Sequence, residues 1–254
     1  MKIAKVVFLG TGGWISSIER NESALLIETQ RSNYLLDAGE ATFKQIQKAK
    51  INFRKIKAIF VTHSHGDHVL GIPSVVLYRT FLTRHEIKII YPNKIEKDIR
   101  NLMRYIPTEL TKNVRLCSFY AKEKESNAYE DKNVKISCIK SKHTSFSVAY
   151  KIVLKKERKT IVYSGDTSPT ENLVKFGKNS DILIHEASLC NKYEDFSFKV
   201  GHSTVNQAIS EGLKCNVSML VLVHLGKQKI KKRKFKVKNM TVFIPNDLET
   251  LYLK

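Results

Sequence analysis

Seven consecutive residues, Thr62-His63-Ser64-His65-Gly66-Asp67-His68, constrain this chain more than any other stretch. Neutral imidazole and carboxylate are the natural ligands of a borderline divalent metal such as zinc. His63 and His65 stand two apart, so on extended backbone their side chains point the same way. Asp67 and His68 follow a glycine, where the chain can turn sharply. Two pairs of donors facing different directions suit two metal ions a few ångströms apart. The preceding run, Lys57-Ala58-Ile59-Phe60-Val61-Thr62, is rich in β-forming apolar residues and predicts a buried strand. The donors then sit in a loop past the C-terminal end of a strand, a usual place for a site in an α/β sheet. A lone His-x-His would more often be a surface loop; the longer pattern closing an apolar strand is far more specific.

The same arrangement recurs along the chain. A strand pattern at 33–37 ends in Asp37, which is either a turn residue or a carboxylate that orients a ligand imidazole. Strands at 134–140 and 148–154 bracket His143, and a strand from Lys159 runs into Asp166. The run Asp181–Glu186 ends in His185-Glu186; neighbours on a strand alternate, and Glu186 is taken as the site residue. Met219–Val223 is followed by His224, and Gly201-His202-Ser203-Thr204 precedes a helix at about 205–213 that Ser203 or Thr204 can cap. So many strand-end donors suggest one shared rim. His85, among charges, reads as surface.

The remaining elements are ordinary. A first strand at 3–9 ends in Gly10-Thr11-Gly12-Gly13, which lacks the spacing of a dinucleotide-binding turn. Further strands are expected at 24–28 and 87–91, with helices around Phe43 to Ala49, from Val69 to about Phe81, and from Pro92 to Tyr105. The polar stretch 121–132 reads as a surface turn. The 254 residues are 42% hydrophobic, with no apolar run of membrane-spanning length and no signal-peptide pattern at the N-terminus. Cys117, Cys138, Cys190 and Cys215 form no Cys-x-x-Cys pair and predict buried, reduced thiols in a cytoplasmic protein. A formal charge of +20 favours encounter with polyanions, although a lysine-rich proteome would give the same number.

These motifs together resemble the metallo-β-lactamase superfamily and, within it, the ribonuclease Z family. The resemblance is carried by Phe8–Gly12, Arg20-Asn21-Glu22-Ser23, Leu36–Thr42, His63–His68 with Gly71-Ile72-Pro73, Ser164–Thr167, His185-Glu186-Ala187 and Gly201–Thr204. It implies an α+β (α/β) fold of four αββα layers, in one domain over 1–254 whose sheet halves are about 1–130 and 131–254. It implies two divalent metal ions, zinc favoured, with manganese and iron as alternatives. One would take His63, His65, His143 and Asp166; the other Asp67, His68, Asp166 and His224. Glu186 and His202 would act together in proton transfer; on such a site Asp67 is placed to orient the nucleophile or accept its proton, and Asp37 remains a turn residue or the support of a ligand histidine. The implied reaction is phosphodiester hydrolysis on RNA, as in tRNA 3′-end processing; the alternative is a small phosphodiester such as a cyclic nucleotide, or another substrate of the fold. No membrane partner is expected, and a homodimer is left open.

Two departures from the family pattern stand out. Ribonuclease Z carries a long tRNA-gripping arm between the residues matching His143 and Asp166, and the 22 residues here leave no room for one. After His224 the chain instead holds seven Lys and one Arg within Lys227–Lys238. Lys231, Lys232, Arg233 and Lys234 could bind phosphates, or the run could be a solvated edge that lysine protects from pairing.

Overall fold

The computed structural model describes residues 3–15, 17–226 and 232–253. The chain divides into two compact units. The first takes residues up to Tyr120 and again from Asn246; the second runs from Ala121 to Pro245.

The first unit is built on strands β1 (Lys5–Gly10), β2 (Ala24–Glu28), β3 (Asn33–Leu36), β4 (Ile56–Phe60), β5 (Ile87–Pro92) and β6 (Val114–Phe119). The second contains β7 (Ser126–Glu130), β8 (Val134–Lys140), β9 (Val148–Leu154), β10 (Lys159–Tyr163), β11 (Ile182–Glu186), β12 (Met219–Val223), β13 (Lys234–Val237) and β14 (Met240–Phe243). The last strand, β15 (Thr250–Tyr252), returns to the first unit. Among the described residues the first sheet has the order β15-β1-β2-β3-β4-β5-β6 and the second β13-β14-β12-β11-β10-β9-β8-β7. Both sheets are mixed. In the first, β3 to β6 are parallel and the rest antiparallel. The central strands β2 and β3 are buried along nearly their whole length, as continuous apolar runs require.

Helices α1 (Thr42–Lys48), α2 (Gly66–Val69), α3 (Ile72–Leu82), α4 (Glu96–Met103) and α5 (Thr108–Thr111) belong to the first unit. Phe43 of α1 and Tyr78 of α3 meet Phe53 with ring centroids 4.9–5.3 Å apart, edge to face at Tyr78. Helices α6 (Glu171–Gly177), α7 (Ser197–Val200) and α8 (Val205–Cys215) belong to the second. Thr204 caps α8, with Gln207 closing a reciprocal capping box. Ala208, Gly212 and Cys215 of α8 are buried in a core with Leu183, Leu220 and Leu222 from the sheet. A Cβ on Gly212 would lie 2.8 Å from Met240 Sδ, so the helix sits as close as glycine allows.

Topology explains how the second unit gathers its donors. Strands β10, β11 and β12 are mutually parallel, and β8 runs the same way because two antiparallel pairings separate it from β10. The segments after β8, β10, β11 and β12 therefore all emerge at one end of this sheet. His143, Asp166 and His224 lie on them, and Glu186 is the last residue of β11.

Several sequence expectations are revised. The stretch 121–132 contains β7, an edge strand paired with β8 around a bulge between Asn127 and Tyr129; its charged residues suit an exposed edge. The expected helix from Val69 is broken, α2 ending before Gly71. The expected helix from Pro92 opens with a 3-10 turn, Asn93–Ile95, before α4. Of the cysteines, only Cys138 and Cys215 are buried, and burial pushes their thiols up to about 11 and about 12.

Candidate functional site

In the first unit the donor loop is held from behind by Asp37. This residue follows β3, is fully buried and takes a left-handed conformation, φ 56°. Its Oδ1 accepts from the Thr62 backbone N–H at 2.8 Å. Its Oδ2 accepts from the Thr62 hydroxyl at 2.9 Å and from His68 Nδ1 at 2.8 Å. His63 Nδ1 in turn donates to Thr62 Oγ1 at 3.0 Å. With these Nδ1 atoms engaged, His63 and His68 turn Nε2 toward the other donors. His63 Nε2 lies 3.1 Å from His65 Nδ1, and His68 Nε2 lies 3.5 Å from Asp67 Oδ2. The rings of His63 and His68 are 4.2 Å apart.

The loop is pressed against the segment after β3. Ala38 N–H donates to the His68 carbonyl, and Gly71 N–H to that of Ala38. A Cβ on Gly39 would fall 2.2 Å from the Asp67 carbonyl oxygen, and one on Gly71 would fall 2.1 Å from that of Gly39. Only glycine permits this approach. Glu22 closes the same corner, accepting from Glu40 N–H at 2.7 Å; burial raises its carboxyl above the ordinary range.

The second unit presents the remaining donors. His143 Nδ1 donates to the Gly201 carbonyl at 2.9 Å, and His224 Nδ1 to Ser188 Oγ at 2.7 Å. Their Nε2 atoms lie 3.8 and 3.4 Å from the same Asp166 Oδ2. These separations exceed good hydrogen bonds. Like Asp37, His224 takes a left-handed backbone, φ 51°. Beside it Glu186, 1% exposed, accepts from His202 Nδ1 at 2.8 Å, from Thr167 N–H at 3.1 Å and from both donors of Ser188. Burial pushes the Glu186 carboxyl up, but the bond and charge of His202 outweigh it and hold the group below its ordinary value. The His202 and His224 rings lie nearly parallel, 5.6 Å apart.

The two strand neighbours divide their work as alternation requires. His185 is fully buried, with Nδ1 donating to the Glu186 carbonyl at 2.6 Å and Nε2 to Glu211 Oε2 at 3.0 Å. Both nitrogens face acceptors, which only the imidazolium satisfies. Burial alone would lower the His185 pKa; Glu211 more than compensates and raises it.

The donor chemistry fits divalent cations. His63, His68, His143 and His224 each engage Nδ1 with an oxygen, the usual outer support of metal-bound imidazole. The His and Asp donors present suit a divalent metal site.

The whole chain can now be set beside known proteins. The family model described as "Anti-Pycsar protein Apyc1" matches residues 4–244. The chain belongs to this Apyc1 family. It is also 29% identical to a ribonuclease Z from Picrophilus torridus, over 87% of this chain and 85% of the relative. Human tRNase Z, short form, superposes with a TM-score of 0.80 at 26% identity, over 98% of this chain and 99% of that one. A metallo-β-lactamase fold protein from Bacillus subtilis superposes with the same TM-score at 18% identity, covering 98% and 99%, a likeness of fold alone.

The Apyc1-family chain therefore has the metallo-β-lactamase fold, α+β with two mixed sheets and helices outside, and it is a metal-dependent hydrolase resembling ribonuclease Z. Sequence reading missed Thr62 and Ser188 as supports, and Glu211 as the partner of His185. Thr62 and Ser188 each sit beside a donor already singled out, which was the available signal. Glu211 is 26 residues from His185 in a helix, and only the fold joins them. Of the basic run, Lys231 lies outside the described residues, while Lys232, Arg233 and Lys234 lead into the edge strand β13. No described helix is long and apolar enough to cross a membrane.

Proposed function

We propose that this Apyc1-family chain is a dinuclear-metal phosphodiesterase whose substrate is a small phosphodiester such as a cyclic nucleotide. The observation that carries the choice of substrate is the connection from β9 to β10. Between the positions where ribonuclease Z has its arm, this chain has an antiparallel hairpin closed by a four-residue turn at 155–158. A compact hairpin gives no reach along an RNA, while a small phosphodiester needs only the donors and the proton-transfer pair.

In this reading His63, His65, His143 and Asp166 hold one ion, and Asp67, His68, Asp166 and His224 the other, with Asp166 shared. Zinc is favoured by the imidazole-rich set. Bound there, such ions supply a water acidified toward neutrality and offset charge on the phosphoryl oxygens. Asp67 orients the attacking water and accepts its proton. His202, with Nδ1 held by Glu186, delivers a proton from Nε2 to the oxygen that leaves phosphorus.

A second reading, cleavage of RNA at the tRNA 3′ end, is supported by the names of the relatives and by the basic edge at Lys232, Arg233 and Lys234. Turnover of a cyclic nucleotide and of a precursor tRNA by the same metal-loaded preparation separates the two. We expect turnover of the cyclic nucleotide; cleavage of the precursor alone would establish the second reading.

A further inference from the structure

The second unit carries aromatic surface that its core does not use. Residues 191–200 form a 3-10 stretch and the short helix α7, and they expose Tyr193, Phe196, Phe198 and Val200. Phe198 is 57% exposed. This surface is held in place. Ser197 is fully buried, its carbonyl accepts from the N–H groups of Gly201 and His202 at 2.9 and 3.1 Å, and its Oγ accepts from Gln207 Nε2 at 3.0 Å. The aromatic segment is thus tied to the backbone of His202. Gly201, at φ 73°, brings it against the His143 loop, where a Cβ would lie 2.8 Å from His143 Nδ1.

A cleft of about 360 Å³ opens there, lined by Lys142, His143, Thr144, Phe198 and Lys199 among others. Its size is that of a small-ligand site, roughly 300–1,000 Å³. The Lys142 ammonium lies 4.7 Å from the Phe198 ring centre. The Lys142 backbone is fixed as well, its carbonyl accepting from Ser168 N–H and Oγ at 2.9 and 3.0 Å. One wall of the cleft is therefore His143 and another the exposed Phe198 ring, one face of which carries the Lys142 ammonium; Lys199 and Glu123 also line it.

We propose that this cleft is the nucleobase subsite of the enzyme, with Phe198 as the stacking platform and Lys142 and Lys199 drawing in the anionic part of the substrate. The inference rests on the phosphodiesterase reading and names the substrate side of that site. In that reading, a phosphodiester held at His143 would extend its sugar and base into the adjoining cleft. Every base has a face to stack, so the platform adds affinity while discriminating weakly among bases.

The test compares wild type, Phe198→Ala and Phe198→Tyr, each metal-loaded, on a nucleoside cyclic phosphate and on ribose cyclic phosphate lacking a base. The quantity read is the ratio of kcat/KM for the two substrates. We expect Phe198→Ala to lower that ratio about tenfold or more through KM, and Phe198→Tyr to restore it. An unchanged ratio overturns the subsite. Wild-type turnover of the base-free compound alone overturns the subsite and leaves the phosphodiesterase reading standing. If neither compound is turned over, that reading fails for this class. Equilibrium binding of a nucleoside monophosphate against ribose phosphate then decides the inference. A Phe198-dependent preference for the nucleotide sustains it, and no preference overturns it.

Discussion

Asp37 Oδ2 accepts hydrogen bonds from both the Thr62 hydroxyl and His68 Nδ1, at 2.9 and 2.8 Å. One buried carboxylate oxygen therefore orients the His68 ring directly and the His63 ring through a threonine. Replacing Asp37 with Ala frees both rings. We expect metal affinity, measured by competition with a chromogenic chelator, to fall about 10–100-fold. Unchanged affinity would show that the loop orients its imidazoles without Asp37.

Metal content follows from the donor sets. Elemental analysis of protein purified without chelator should give about two equivalents of divalent metal per chain. His224→Ala should reduce this to about one, and chelation should abolish hydrolysis and lower Tm, since ions that bind only the folded chain stabilise it. One equivalent in the wild type, unaffected by His224→Ala, would remove the dinuclear assignment.

In the proposed mechanism His202 and Glu186 serve proton transfer and not metal binding, and the two roles can be separated. His202→Ala should retain both metal equivalents and lose roughly 10²–10⁴-fold in kcat. Glu186→Gln removes the negative charge behind His202 and should shift the alkaline limb of the pH–rate profile, the limb that a general acid governs. A loss of metal in the His202 variant would make that residue a ligand.

His185 and Glu211 give stability a pH dependence of definite sign. The folded-state pKa of His185 is raised above its ordinary value of 6.5. The contribution is complete below the unfolded value and is lost as pH rises through the folded one. Urea midpoints should therefore fall on going from about pH 6 toward alkaline pH, and Glu211→Gln should flatten that slope. A parallel slope in the variant would place the effect elsewhere.

The basic run decides the weight of the RNA reading. Replacing Lys232, Arg233 and Lys234 with Ser should weaken RNA binding and make log affinity less steep in log salt, by about 0.7 per lost phosphate contact. The same affinity and slope in the variant would mark the run as a solvated edge.

The candidate donor positions stand out in the sequence because metal chemistry limits which side chains can occur together. His63, His65, Asp166, Glu186 and His224 each close or follow a short apolar run that reads as a strand, while His143 stands between two strand patterns. Polar edge strands were harder. β7 is Ser-Asn-Ala-Tyr-Glu, with neither alternation nor a hydrophobic run, and only its pairing with β8 makes it a strand. The return of the C-terminal residues to the first unit was invisible for another reason. Asp247 accepts from Thr11, Asn21 and Gln45, the farthest of them 236 residues away, and no local pattern encodes such a partner.

That return has a bearing on synthesis. β15 pairs with β1, and Phe8 exchanges backbone bonds with Leu248 and Glu249. A ribosome finishes β1 to β6 long before it reaches residue 246, so the nascent first unit must wait with the edge of β1 bare while the whole second unit is made. An uncovered apolar edge is an invitation to mispairing. The chain should depend most on chaperones during that interval, and a rearranged version with residues 246–253 joined ahead of β1 should fold with less aggregation.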